Sequence, residues 1–274
     1  MVAGVPPDYF SADGQLWGNP LYKWEAHRAQ HYSWWIDRLR QTLKLVDVVR
    51  MDHFRGFAAA WHVPANSPTA RNGEWIKSPG KELFQAFKEN FPAMPIIAED
   101  LGVITDDVVE LRDGFGLPGM KILQFGFTGD PEDDFLPHHY PRNCFAYTGS
   151  HDNNTALGWF QNASAEEKAF CLNYLHTSED EVAWAMMRAI WQSCAENVGA
   201  PMQDVLALGA SARMNMPGSQ SGNWSWRMQE DALSDAAADR LRDLNFLYSR
   251  LPAEEKQEYT RQLNQRLSGS VKPH

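Results

Sequence analysis

Short apolar runs alternate along this chain with longer segments whose apolar residues recur at helical spacing. The runs are "LVDVVR" (45–50), "MPIIAE" (94–99), "GMKILQF" (119–125), "CFAYTG" (144–149) and "MQDVLAL" (202–208), all of strand length. "HYSWWIDRLRQTLK" precedes the first run, and "GKELFQAFKENF", "TDDVVELRDGF", "SAEEKAFCLNYL" and "EVAWAMMRAIWQSCAENV" fall between later ones. Thr105 stands as an N-cap, with Asp106 and Asp107 in the first turn of its helix, where their charge opposes the helix dipole. Strand and helix in alternation, with apolar strands, predict βαβ units and a parallel sheet.

Polar residues gather where these strands end: Arg50 and Asp52, Glu99 and Asp100, Gln124, then Ser150, His151 and Asp152. Reactive groups on several strand ends are the habit of a (β/α)8 barrel. A doubly wound sheet also binds ligands at strand ends, but no Gly-rich phosphate loop follows any of these strands, so the barrel is the better expectation. The count does not close, because a barrel needs eight strands and five are found. The chain opens in the Pro/Gly-rich "GVPPDYFSADGQLWGNP", read as loop, and from residue 229 onward it is charged and helical. The expected fold is therefore α/β: a partial (β/α)8 TIM barrel with its first three strands missing, strands four to eight present, and C-terminal helices. Its organisation is one incomplete domain, with a loop and helix over 1–43, barrel strands and helices over 44–228, and a helical tail over 229–274. Two unpaired sheet edges would invite self-association.

Composition narrows the partners. A formal net charge of −10 over 274 residues argues against nucleic acid, which is met by basic patches. No apolar run approaches the length of a membrane span, and "MVAGVPPDYF" lacks the basic and apolar regions of a secretory signal. Cys144, Cys171 and Cys194 are odd in number and widely spaced, which suits neither a disulfide framework nor a zinc site and predicts reduced thiols in the cytoplasm. The 11 tryptophans change the picture more, because several stand in polar loops: Trp17 in "GQLWGNP", Trp75 in "NGEWIKSPG", Trp224 and Trp226 in "SGNWSWR". Any one of them is more simply a packed loop residue. As a set beside Asn and Gln they suit sugars, whose apolar faces stack on rings while their hydroxyls take hydrogen bonds.

Three strand-end acids are the candidate chemistry. Side chains alternate along a strand, so Val48, Arg50 and Asp52 share a face, and Arg50 would hold Asp52 as the charged carboxylate that a glycosidic nucleophile must be. A lone Arg-x-Asp is more often a structural ion pair. Ile97 and Glu99 share a face too, and after an apolar run Glu99 would stay protonated, as a general acid requires. The bland alternative, a capping or ion-pairing acid, better describes Asp100. His151 and Asp152 could bind neighbouring sugar hydroxyls. They could also begin a metal site, but no third ligand has suitable spacing, so no metal is expected.

Longer strings are more specific than these acids. "GVPPDYFSADGQLWGNPLY", "VVRMDHFRGF", "IIAEDLGVIT", "LPGMKILQF", "YTGSHDNNT", "QDVLALG" and "ARMNMPG…GNWSWR" resemble, in that order, the 4-α-glucanotransferases known as amylomaltases or disproportionating enzymes, glycoside hydrolase family 77 of the α-amylase clan. The resemblance runs from residue 4 to about residue 228 and leaves the tail generic. It implies Asp52 as nucleophile, Glu99 as general acid/base and Asp152 as the third acid, which stabilises the transition state. It further implies that Arg50 supports the nucleophile and that His53 and His151 bind glucose hydroxyls on the donor side. Asp8, Tyr9 and Phe10, with Gln15 and Trp17, would form a loop over the acceptor side, and Asn215 a late cleft residue. Met51, Ser150 and Gly126 stand where the family pattern has Ile, Thr and Ala. The implied activity is retaining transfer of α-1,4-glucan segments between maltooligosaccharides, with starch or glycogen fragments as partners and no cofactor. The family is about twice as long as this chain, so the expected further partner is the missing N-terminal half of the barrel. An α-glucan hydrolase of the same clan and a half-barrel without catalysis are the alternatives.

Overall fold

The computed structural model describes residues 1–7, 11–219 and 221–269. The chain divides into two compact units, Met1–Met120 and Lys121–His274.

The first unit runs through β1 (Val2–Val5), β2 (Gln15–Leu16), α1 (Trp24–Ala29), α2 (Ser33–Thr42), β3 (Val49–Met51), β4 (Ala59–Val63), β5 (Glu74–Lys77), α3 (Gly80–Asn90), β6 (Ile96–Ala98) and α4 (Asp106–Gly114). β3 and β6 pair in parallel, with Val49 opposite Ile96, Arg50 opposite Ile97 and Met51 opposite Ala98. Beneath them lies an aromatic core: Phe54, Phe84 and Phe87 are fully buried and pack with Trp35 and Leu39 of α2, Leu83 of α3 and Leu111 of α4. The first strand is shorter than the run "LVDVVR" predicts. Leu45 and Val46 return their N–H groups to the Thr42 carbonyl at the end of α2, and Leu45 is 85% exposed. The helix end takes those residues before the strand can.

A second, antiparallel sheet in the order β2-β1-β4-β5 is absent from the sequence reading. It folds part of the Pro/Gly-rich opening, read above as loop, onto β4, with Gly4 opposite Trp61 and Trp61 opposite Trp75. These strands leave almost no hydrophobic signature. β2 has two residues, and every residue of β5 is exposed, so neither shows the alternation that burial of one face imposes.

The unit boundary falls within β7 (Gly119–Ile122). The second unit continues through β8 (Cys144–Tyr147), α5 (Ala156–Asn162), α6 (Ala165–Leu175), α7 (Val182–Gln192), β9 (Asn197–Gly199), α8 (Met202–Val205), α9 (Asp235–Leu247) and α10 (Ala253–Gly269). The sheet order is β7-β8-β9, and β8 runs parallel to β9 with Phe145 opposite Asn197 and Tyr147 opposite Gly199. α6 opens with a capping box, in which Ser164 accepts from the Glu167 N–H and Glu167 reaches back to the Ser164 N–H. The run "MQDVLAL" is not a strand. The strand lies just before it at Asn197–Gly199, and Pro201 then starts the one-turn helix α8. Proline fixes φ near the helical value and cannot donate to a ladder, so it closes the strand and favours the turn that follows. Short apolar runs do not distinguish these outcomes by periodicity.

The helix α9 packs onto α7. Leu244 of α9 is buried in the core with Met186, Met187 and Ile190, and Trp191 donates its indole N–H to Asn245 at 2.8 Å. Arg250 follows α9 and donates to the carbonyls of Trp191 (2.9 Å), Ser193 (3.1 Å) and Ala195 (3.0 Å), just past the end of α7. A cation there meets the negative end of the helix dipole as well as carbonyls the helix leaves free. Arg250→Ala is expected to cost about 3 kcal/mol, because hydrogen bonds to a charged group are worth roughly 1.5–3 kcal/mol each and water recovers part of them. A urea melt reads this directly. An unchanged midpoint would mean that the tail does not depend on this contact.

Candidate active site

The ends of β3 and β6 carry the first group of predicted residues. Met51 accepts from the Glu99 N–H at 3.0 Å, which carries the parallel register one step past the strands and sets Asp52 beside Glu99. The two acids differ in surroundings. Asp52 is 77% exposed in its side chain and accepts from the Arg50 guanidinium at 2.7 Å. Arg50 is held in turn by Met120, whose sulfur accepts from its Nε at 3.3 Å. Glu99 is partly buried, and each of its oxygens takes one backbone N–H: Oε2 from His53 at 2.7 Å and Oε1 from Leu101 at 2.9 Å. Burial raises the Glu99 pKa above the ordinary carboxylate value, against the pull of those N–H groups and of Arg50.

His53 makes this possible through its backbone. It follows the strand in the left-handed conformation, φ +47°, and its N–H donates to Glu99. Non-glycine residues rarely adopt that conformation, and such strain concentrates at functional sites. Burial, with help from Arg55, pushes the imidazole pKa down to about 4, so the ring is neutral near pH 7. The edge of the Trp17 ring meets it, with centroids 4.7 Å apart, and the Trp17 indole donates to Gln15 at 3.1 Å. Trp17, Arg50, Asp52 and His53 line a cleft of about 1220 Å³ together with Tyr22 and Trp34. Asp8, Tyr9 and Phe10 lie outside the described residues.

Asp100 stands apart from this chemistry, as its sequence position suggests. It accepts from Arg112 and, at 2.7 Å, from the Met120 N–H, so it ties α4 and the start of β7 to the strand end that bears Glu99.

The second unit carries His151, Asp152 and Asn215. Asn215 donates to Asp152 Oδ1 at 2.6 Å, and the His151 ring lies 3.2 Å from Oδ2. The sequence reading missed Arg213. Its guanidinium donates to the Asp152 carbonyl at 2.6 Å and to the Asn215 carbonyl at 2.8 Å, fixing both the residue that bears the carboxylate and the one that donates to it. Trp224, also at positive φ (+60°) and 56% exposed, lies 5.3 Å from the His151 ring. An exposed ring beside hydrogen-bonding groups is the arrangement that sugars favour. Among the described residues no group of three or more His, Cys, Asp or Glu side chains could hold a metal ion, and no helix is long and apolar enough to cross a membrane.

With paired strand-end acids and aromatic cleft walls established, the comparison with known proteins is decisive. Residues 1–234 match glycoside hydrolase family 77, described as 4-alpha-glucanotransferase. The chain belongs to this family. The 4-alpha-glucanotransferase of Thermus thermophilus is 52% identical over 259 residues, covering 92% of this chain and 52% of that protein. That of Streptococcus pneumoniae is 50% identical over 252 residues, covering 91% and 50%. The chloroplastic 4-alpha-glucanotransferase of Arabidopsis thaliana is 48% identical over 255 residues, covering 92% and 44%. Among solved structures, an amylomaltase from Streptococcus agalactiae in complex with acarbose superposes with a TM-score of 0.88 at 40% identity, covering 92% of this chain and 51% of that one. The chain thus spans about half the length of the curated 4-alpha-glucanotransferases it matches.

Proposed function

We propose that this chain carries the reactive carboxylates of a 4-α-glucanotransferase that moves α-1,4-glucan segments between maltooligosaccharides with retention of configuration. The observation that carries the reading is the contrast between neighbours: Asp52 is exposed and ion-paired, while Glu99 is partly buried with a raised pKa. Asp52 lies close enough for its charge to help raise the Glu99 pKa, and retaining glycosidases likewise keep their two carboxyl groups near one another, roughly 5–5.5 Å apart. Family membership and an acarbose-bound relative support a glucan oligosaccharide as substrate.

In this mechanism an oxygen of Asp52 attacks the anomeric carbon while Glu99 gives its proton to the departing glycosidic oxygen. Both Glu99 oxygens already accept backbone N–H groups, so the mobile proton occupies a remaining lone pair, directed away from the backbone. A covalent β-glucosyl enzyme results. Glu99, now a base, takes the proton of an acceptor 4-hydroxyl, which displaces Asp52 and restores the α-1,4 bond. Arg50 keeps Asp52 charged and oriented. The neutral His53 ring binds sugar hydroxyls on the donor side, as does His151. Trp17 and Gln15 serve the acceptor side with Asp8, Tyr9 and Phe10, and Asp152, held by Asn215, is the third acid. The parallel pairs β3–β6 and β8–β9 are, on this reading, parts of a (β/α)8 barrel. β3 pairs with β6 alone among the described strands, and its other side would accept a further strand, from the remainder of the barrel or from a second copy.

Hydrolysis is the competing outcome, because a glucosyl enzyme on so exposed a carboxylate is open to water. Incubation of the purified chain with maltotriose, with products separated by size, distinguishes the two. Transfer yields glucose plus a ladder of longer maltooligosaccharides. Shortening without any longer product would mean hydrolysis, and no product at all would mean that this chain does not catalyse by itself.

A further inference from the structure

Asp204 is a fully buried carboxylate that the mechanism above does not use. It lies on α8 and its two oxygens have separate partners. Oδ2 accepts from the Thr148 hydroxyl at 2.5 Å, at the end of β8, and Oδ1 accepts from the Ala156 N–H at 2.7 Å, at the start of α5. Thr148 and Ala156 bracket the loop "GSHDNNT", residues 149–155, which presents His151 and Asp152. Burying a carboxylate is costly, and packing alone would be served by an apolar side chain of the same size.

The rest of the loop is built to pass on whatever position its ends are given. Asn153 folds back so that its side-chain oxygen accepts from both the N–H and the hydroxyl of Ser150, at 2.9 and 2.8 Å. The Ser150 hydroxyl accepts from the Asp152 N–H at 3.3 Å, and Gln124 donates to the Asn154 carbonyl at 2.9 Å. A Cβ at Gly149 would meet the Gln124 amide nitrogen at 2.5 Å, so the loop backbone lies close against that glutamine. Arg213 then fixes the Asp152 carbonyl from outside the loop.

We infer that Asp204 is a positioning residue: by holding Thr148 and Ala156 at a fixed separation it sets the direction in which the loop presents the Asp152 carboxylate. The inference rests on the reading of Asp152 as a reactive acid. It calls for a side chain with two acceptor oxygens at one buried point, which Asp supplies and Asn does not. In Asp204→Asn one end of the amide carries N–H groups, so the oxygen can keep the Ala156 N–H while the Thr148 hydroxyl meets the amide only by reversing to accept, and the charge-assisted bond that holds that arm is lost.

Hydrogen exchange by mass spectrometry tests this without depending on turnover. In Asp204→Asn the amides of residues 149–156 are expected to exchange at least about tenfold faster, while those of β8 stay protected. Thr148→Val, which keeps the carboxylate and removes one arm, should do the same, and Thr148→Ser should restore wild-type exchange. Thr148→Val also provides the reading if Asp204→Asn does not fold. Where the wild type transfers glucan, both clamp variants should lose on the order of 10²-fold in kcat, with KM little changed, because small misplacements of a reacting group carry such penalties. Loop exchange unchanged in both Asp204→Asn and Thr148→Val overturns the inference, as does faster exchange with unaltered kcat. A wild type without turnover counts against the proposed function and leaves the exchange result to decide the role of Asp204.

Discussion

Asp52→Asn should lower glucan transfer by at least about four orders of magnitude while leaving the folded state in place. The loss follows from the chemistry. An amide oxygen does not form the glucosyl ester, and removal of a nucleophile alone typically abolishes most of an enzyme's rate enhancement. Stability is spared because the Asp52 side chain is 77% exposed, and an ion pair open to solvent contributes only about 0–1 kcal/mol. Arg50 also keeps its contact with Met120 when the charge is gone. The measurement pairs a maltotriose time course with a thermal melt. Wild-type turnover in this variant would remove Asp52 from the mechanism, whereas a collapsed melt would show that the ion pair is structural, as lone Arg-x-Asp motifs usually are.

Glu99→Gln has the next largest expected effect, a drop of roughly 10²–10⁴-fold, the range for loss of a general acid. Its signature is in the pH profile. Burial raises the Glu99 pKa, so the carboxyl keeps its proton to a higher pH than an ordinary glutamate. Wild-type transfer should fall as pH rises through that raised value, since the ionised form has no proton for the leaving oxygen. The amide that replaces the carboxyl does not ionise, and the variant should lose this alkaline limb. The linkage to stability has the same direction: a raised folded pKa means that the contribution of Glu99 is fully present below its unfolded value and is lost as pH rises through the folded one. An alkaline limb that survives in Glu99→Gln would assign the limb to another group.

The sequence was most readable where a local pattern coincided with burial. β6 and β8 and the helices α3, α4 and α7 stand where apolar spacing places them, because each is buried against a core. The antiparallel sheet was hidden because every residue of β5 is exposed and β2 has two residues. α8 was mistaken for a strand because a run as short as "MQDVLAL" fits either, and Pro201 decides it. At the candidate site, Arg50 and Asp52 were visible as a pair because alternation along a strand is local. The support of Glu99 was not, since its donors are backbone N–H groups, one of them from His53, 46 positions away. Nor was the support of Asp152, whose partners Arg213 and Asn215 lie 61 and 63 positions downstream. Side-chain identity is written in sequence, but the direction of a backbone N–H is not.

That last feature bears on engineering. The donors that hold Glu99 belong to the main chain of His53 and Leu101, so a side-chain replacement that leaves the backbone conformation in place keeps them. The acid's environment is thereby insulated from mutation at positions where specificity could be altered. Asn tolerates the left-handed backbone that residue 53 requires. On the proposed function, His53→Asn is therefore a route to changing what the donor side recognises while Glu99 keeps its hydrogen bonds.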